Sequence, residues 1–432
     1  MADFDKNDPL STDVPMPFDG TIPPAAALPS MFASLRHRNY RLFFFGQLIS
    51  LIGLWMHNAA QSWLVYEMTG SKTMLGLTMV AETLPIFLFS TWGGVLADRY
   101  PKRKILYVTQ SIEAALALIL AVLVFTDSVQ VWHIMVLAAL LGIDSGFEAP
   151  ARQSFTIEMV GRKDLMNAIG LISSVFHGAR IVGPAIAGLV IAAWGTGICF
   201  LVNGLSFGAL IIALAAMRLL PKPADETSSK GFSMHHALKG FRVVKRTPAV
   251  LGLICLTFTV GVFGWSYIVL LPAIAKDTFG VAADGYGVMM SASGVGSVIG
   301  ALWLASSRRI NNGRHLISGS MLLFSIATII FSQTASYVVA LIVLVPIGFG
   351  MTTFFSSTDA LIQTSVDDDV RGRVMGVVAL VWGAMMPLGS LLAGTVAEVL
   401  GSGTTVFLGA VFVGCGGIAA LLVLPKGLTL GR

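Results

Sequence analysis

The sequence predicts an all-α membrane protein of twelve transmembrane helices, arranged as two pseudo-symmetric six-helix bundles. Three observations carry that prediction. The 432-residue chain is 55% hydrophobic and 12% charged, with mean hydropathy +0.80, whereas soluble domains carry about 25% charged residues. Apolar runs of the ~20 residues needed to cross a bilayer recur along the chain. Lysine and arginine gather in every second connection between those runs, as the orientation rule for membrane proteins requires.

Residues 1–35 are Pro-rich, carry several Asp and lack the apolar core of a signal peptide. They are expected to form a disordered cytoplasmic N-terminal segment. A basic stretch with Arg36, Arg38 and Arg41 leads into the first span at 42–66. The others fall near 74–97, 104–126, 131–152, 166–194, 198–217, 249–274, 285–306, 315–333, 336–364, 374–399 and 404–424. The cations test this count. Arg99, Lys102, Arg103 and Lys104 follow the second span; Arg152, Arg162 and Lys163 the fourth; Arg308, Arg309 and Arg314 the eighth; Arg371 and Arg373 the tenth. The connection after the sixth span is the richest, from Arg218 to Arg246, whereas the alternate connections hold only Lys72 and Lys276. Both termini are therefore expected in the cytoplasm. This placement also accounts for the net charge of +5 without a nucleic-acid partner. Cys199, Cys255 and Cys415 each lie inside an apolar run and are expected to serve packing.

The connection at 219–247 divides the chain into bundles at 36–218 and 248–432. Within this linker Phe232, Met234, Leu238, Phe241 and Val244 alternate with Lys239, Arg242, Lys245 and Arg246, the pattern of an interfacial amphipathic helix. The bundles read as repeats. At an offset of 206 residues Gly170 matches Gly376, Gly183 matches Gly389, Ala187-Gly188 matches Ala393-Gly394, and Gly195 matches Gly401.

The turn after the second span reads Gly94-Val95-Leu96-Ala97-Asp98-Arg99-Tyr100-Pro101-Lys102-Arg103-Lys104. It resembles the signature between the second and third helices of the major facilitator superfamily, with Gly94, Asp98, Arg99 and Arg103 in register. The resemblance implies the major facilitator fold. It also implies a role for Asp98 as a latch against the N-terminus of the eleventh helix, where the dipole favours an anion. Arg99 and Arg103, with Arg371 and Arg373 across from them, are expected to complete that latch when the protein faces outward. In the fifth span, Ala179 to Gly188 resembles the antiporter signature of the superfamily, with Gly183, Pro184 and Gly188 at its small and helix-bending positions. That motif implies export coupled to inward proton flow.

Intramembrane polar residues are costly and tend to mark transport pathways. Gln47, Asn58 and Gln61 fall within about 60° of one another on the first span, and this stripe is expected to line the central cavity, with interhelical hydrogen bonding as the alternative. Asp144, Glu148 and Arg152 share a face of the fourth span, and Glu148 to Arg152 is the favourable order for an ion pair. Asp144 lies deeper without a local cation. A carboxylate in a medium of low dielectric favours its protonated form, so Asp144 and Glu82, in the second span, are candidate proton carriers. Asp359 is their candidate counterpart in the second bundle, on a face shared with Ser356 and Gln363. Arg180, the cation placed inside a span, is a further proton-coupling candidate and would meet a carboxylate such as Asp144 or an anionic substrate; His177, Ser356 and Gln363 join Gln47, Asn58 and Gln61 as candidate linings of the substrate cavity.

Pro150 to Phe155, Asn167 to Gly188, Asp359 to Gln363 and Arg371 to Gly376 resemble the branch of the superfamily that contains the bacterial enterobactin exporter. The expectation is a multi-pass, monomeric protein of the bacterial cytoplasmic membrane that exports a small organic molecule (drug, metabolite or siderophore) by proton antiport and alternating access. Uptake, or flipping of a lysophospholipid, by the same fold is the alternative. No Walker loop, metal-ligand cluster or serine–base constellation stands out, so neither an enzyme nor a cofactor is expected.

Overall fold

The computed structural model describes residues 32–218, 241–306, 312–426 and 428, without the side chains of residues 162, 368 and 369. Twelve helices among the described residues are long and apolar enough to cross a membrane. In chain order they are α1 (Arg38–Thr69), α2 (Lys72–Arg99), α3 (Lys102–Phe125), α4 (Val131–Gly161), α5 (Lys163–Trp194), α6 (Thr196–Ala216), α7 (Pro248–Thr278), α8 (Ala283–Ser306), α9 (Gly313–Gln333), α10 (Tyr337–Thr364), α11 (Val370–Leu400) and α12 (Ser402–Val423). Each coincides with one predicted run. The largest departure is α4, which continues past Arg152 to Gly161, where a φ of +70° breaks it from α5. Most of the N-terminal segment and of the linker, including Phe232, Met234 and Leu238 of the expected interfacial helix, lies outside the described residues. The helical part of the linker that is described is 241–246, with Val244 buried.

Because successive helices cross in alternate directions, the even-numbered connections gather at one end of the molecule, marked by Asp98. The odd-numbered connections gather at the other, marked by Lys72. Among the first six helices, α2 packs on α4, and α6 on both α1 and α3; among the last six, α8 packs on α10, and α9 on α10 and α12. The seam between the two sets is made by α2 against α11 and α5 against α8. The outer surface is apolar. Trp92, Leu189, Leu302, Val399 and Leu422 are 65% to 83% exposed, an arrangement suited to lipid rather than water. Cys255 and Cys415 are exposed on this surface and only Cys199 is buried, so core packing describes one of the three.

The 206-residue repeat reappears in the packing. Gly183 of α5 lies against Ile52, Trp55 and Met56 of α1, and its counterpart Gly389 of α11 lies against Gly261 and Val262 of α7. Gly188 meets Ala283 and Asp284 of α8, and its counterpart Gly394 meets Lys72 and Gly76 of α2. A Cβ at Gly188 would come within 2.8 Å of the Ala283 carbonyl oxygen, and one at Gly394 within 2.6 Å of that of Lys72. Only glycine permits backbones this close. Gly195 and Gly401 end α5 and α11 with φ of +82° and +84°, a conformation that side chains disfavour.

The seventh helix is irregular. Its hydrogen-bond pattern widens into π turns at Val260–Gly264 and Ile274–Thr278. Such bulges concentrate at functional positions in helices. The predicted run at 249–274 carried no sign of them.

Candidate functional site

The two sets of helices are fastened at the Lys72 end. Asp277, at the close of α7, accepts a hydrogen bond from the Tyr66 hydroxyl and lies 3.5 Å from the Lys72 ammonium. Glu398, near the end of α11, accepts from the Thr73 backbone N–H at 2.9 Å and from the Ser71 hydroxyl at 3.0 Å. It thereby places a carboxylate on the N-terminus of α2, where the helix dipole stabilises an anion by about 0.3–1 kcal/mol. Trp63 stacks on Tyr286 of α8, centroids 5.7 Å apart, just inside this gate. Deeper in the seam, the Ser291 hydroxyl of α8 donates to the Ile181 carbonyl of α5 at 2.8 Å. Sequence reasoning did not find Tyr66, Lys72, Asp277 or Glu398. Lys72 and Lys276 were legible as the rare cations of this side, but their partners come from helices distant in sequence.

At the Asp98 end the charged turn is exposed. Asp98 and Arg99 are at the surface, and Asp98 has no hydrogen bond or ion pair among the described residues. Arg103 donates to the Ala215 carbonyl of α6, Arg371 donates to the Gln363 carbonyl of α10, and Lys102 pairs with Glu158 of α4 at 2.8 Å. Gly94 is clear of other chain. Asp98, expected to latch with Arg99, Arg103, Arg371 and Arg373, therefore makes no such contact among the described residues, in a molecule fastened at the opposite end.

The polar stripe of α1 divides. Gln61 is buried and pairs with His57 at 3.2 Å. Both line a small cavity inside the first bundle, with Glu113 of α3 and Asn203 of α6. This position departs from the central cavity expected for Gln61, because its face of α1 is covered by α3, α4 and α6. Gln47 is buried and Asn58 half-buried, each with its amide oxygen unpartnered. Arg180 does not meet Asp144. Its guanidinium stands 5.7 Å from the centroid of Trp55 on α1, a cation–π distance, within reach of the Tyr267 hydroxyl on α7. Among the described residues no carboxylate lies within 4.0 Å of it. The His177 Nδ1 and the Trp55 indole nitrogen, nearby, are buried without partners.

The carboxylates fall into separate places. Glu148 and Arg152 form the expected pair at 3.4 Å. Asp144 is buried beside Glu148 with one oxygen unpartnered. Glu113, which sequence reasoning passed over in the third span, joins this group through Gln110. Glu82 is partly buried, and its backbone carbonyl faces Gly142 of α4. In the other bundle Asp359 stands within reach of the Trp382 indole of α11, while Ser356 and Gln363 are exposed. A recess of about 500 Å³ at the Lys72 end, lined by Glu67, Asp127 and Trp194 among others, contains none of the candidate residues.

The pattern of the transmembrane secretion effector family matches residues 29–427. The chain is similar to the staphyloferrin A transporter of Staphylococcus aureus, 25% identical over 84% of this chain and 90% of that protein. It is 28% identical to the multidrug efflux pump Tap of Mycobacterium tuberculosis, over 88% and 92% of the two chains. It is 24% identical to macrolide efflux protein A of Streptococcus pyogenes, over 85% and 92%. Among solved structures, a bacterial homologue of the human lysosomal transporter Spinster, inward-facing and unoccupied, superposes with a TM-score of 0.70 at 13% identity, covering 90% of this chain and 97% of that one. The nucleoside transporter NupG gives 0.71 at 12% identity, covering 89% and 98%.

Proposed function

Because the chain belongs to the transmembrane secretion effector family, a family of efflux and secretion transporters, we propose that it exports a small organic molecule from the bacterial cytoplasm by alternating access, driven by inward proton flow. The observation that carries this reading is the one-sided seam: Asp277 and Glu398 fasten the Lys72 end, while at the other end Asp98 has no hydrogen bond or ion pair among the described residues. With both termini in the cytoplasm, that is an inward-facing arrangement. Transport then requires the converse state, in which the Lys72 end parts and Asp98 closes on the N-terminus of α11 near Arg371 and Arg373. The two bundles at 36–218 and 248–432 rock as units about the glycine contacts of α5 with α8 and α2 with α11.

Each proton entering down a ~100 mV potential releases about 2.3 kcal/mol, comparable to the bias that a few hydrogen bonds impose on the gate. Asp144, Glu82 and Asp359 are the proposed proton carriers, and Arg180 and His177, with Asn58, Ser356 and Gln363, the proposed contacts for cargo. The named relatives make siderophores, macrolides and mixed drugs the first cargo classes to test. The experiment uses everted membrane vesicles with ethidium and erythromycin as probes, alongside a deletion strain screened for drug sensitivity and lost metabolite secretion. Proton-driven accumulation inside the vesicles, or a secretion defect in the strain, supports export. Accumulation only in right-side-out vesicles replaces it with uptake.

A further inference from the structure

A line of polar side chains crosses the interior of the first bundle, away from the seam. Gln110 of α3 is its bridge: its Nε2 donates to Glu113 at 2.8 Å and to Glu148 of α4 at 3.3 Å. All three residues are at most 5% exposed. On the far side of Glu113 lies a small cavity of about 10 Å³, lined by Glu113, His57, Gln61, Asn203 and leucines of α3 and α4. His57 and Asn203, 5% and 1% exposed, line this space, and the His57 Nδ1 and Asn203 Oδ1 are buried without partners. A buried polar atom left without a partner costs about 1–3 kcal/mol. A cavity of about 10 Å³ is at the lower limit for one water, and its polar walls supply the partners such a water needs.

Charge points the same way. The groups facing Glu113 are Asp144, Glu148 and Arg152 on α4 and His57 on α1; α6 contributes the neutral Asn203. Among the described residues three carboxylates thus share one permanent cation, and Arg152 already stands on Glu148. Burying an uncompensated charge costs several kcal/mol. The Gln110 Oε1 is also buried and unpartnered.

We propose that Glu113 is a proton-binding site, linked by one water in this cavity to His57 and Asn203, and by Gln110 to Glu148. The site lies behind the transport pathway rather than in it. It resides where α1, α3, α4 and α6 meet, so its protonation alters the packing of the first bundle as a body. Its role as a coupling site rests on the antiport reading; its existence does not.

Two measurements keep these apart, and neither needs the cargo. In infrared difference spectra of the reconstituted full chain, the wild type is expected to show a protonated-carboxyl band, shifting in heavy water, that is lost in Glu113→Gln, retained in Glu113→Asp, and retained when Asp144, Glu82 or Asp359 is replaced by its amide. A band unchanged in Glu113→Gln overturns the site. His57→Leu, which removes a wall of the water cavity, is expected to shift that band; an unshifted band removes the water link. In the second measurement, spin labels at Ser128 and Ala335 report opening of the Lys72 end. The open fraction is expected to change about tenfold between about pH 5 and about pH 9 in the wild type and less than about twofold in Glu113→Gln. A wild type insensitive to pH, with the band present, refutes proton coupling while leaving the site; equal sensitivity in both proteins refutes the coupling role of Glu113.

Discussion

Replacing Asp277 by alanine should open the Lys72 end. In the structure this carboxylate accepts from the Tyr66 hydroxyl and sits 3.5 Å from Lys72. A hydrogen bond to a charged group contributes about 1.5–3 kcal/mol. The ion pair adds at most about 1 kcal/mol, because the two side chains are 20% and 46% exposed and water screens them. Allowing for that exposure, losing both contacts shifts the balance between fastened and parted states by about 2 kcal/mol, a factor of about 30. Asp277→Asn keeps an acceptor for Tyr66 and loses the charge, so it should shift the balance by about 1 kcal/mol, or about fivefold. Double electron–electron resonance reads this directly, with labels at Ser128 and Ala335, in the connections after α3 and α9. The background protein carries Cys199→Ala, Cys255→Ser and Cys415→Ser. The alanine variant should transfer population to a longer distance, and the asparagine variant should fall between it and the unaltered gate. Identical distance distributions in all three proteins would refute the reasoning that Asp277 holds this end shut.

Other expectations follow from the same seam. Gly188→Val and Gly394→Val place side chains where a Cβ already comes within 2.8 Å and 2.6 Å of a backbone oxygen. Each should part the Lys72 end without lowering the yield of folded protein, visible as faster maleimide labelling of a cysteine at Thr73. Asp98→Asn should cripple efflux while leaving expression intact, since the latch is needed only in the converse state; undiminished ethidium or drug efflux removes the latch. Arg180→Lys keeps the charge but loses the planar face over Trp55, so any probe held at Arg180 should bind several-fold more weakly. Unchanged binding of every transported probe places the cargo elsewhere.

Much of this architecture was legible in the chain. Bilayer thickness sets run length and cation placement sets the count, and both are properties of local sequence. The glycine offset of 206 residues anticipated that Gly188 and Gly394 do equivalent work, because only a glycine lets two backbones meet there. The gate was not legible. Asp277 and Glu398 look like ordinary helix-end carboxylates, and their meaning depends on which distant helix end faces them. Gln61 was misplaced because angular position on α1 does not say which neighbour covers that face. Glu113 was missed because Gln110 and Glu113 acquire significance only when α4 brings Glu148 against them. The first π turn of α7 holds Gly261, on which Met385 of α11 packs.

The central claim is that the fastened end must part for cargo to move. Cysteines in place of Ser71 and Glu398, whose side-chain oxygens lie 3.0 Å apart, can be joined by a short reducible cross-linker in everted vesicles. Efflux of a transported probe should stop on cross-linking and return on reduction, with the single-cysteine proteins unaffected. Transport at the uncross-linked rate through a fully joined protein would contradict alternating access at this seam.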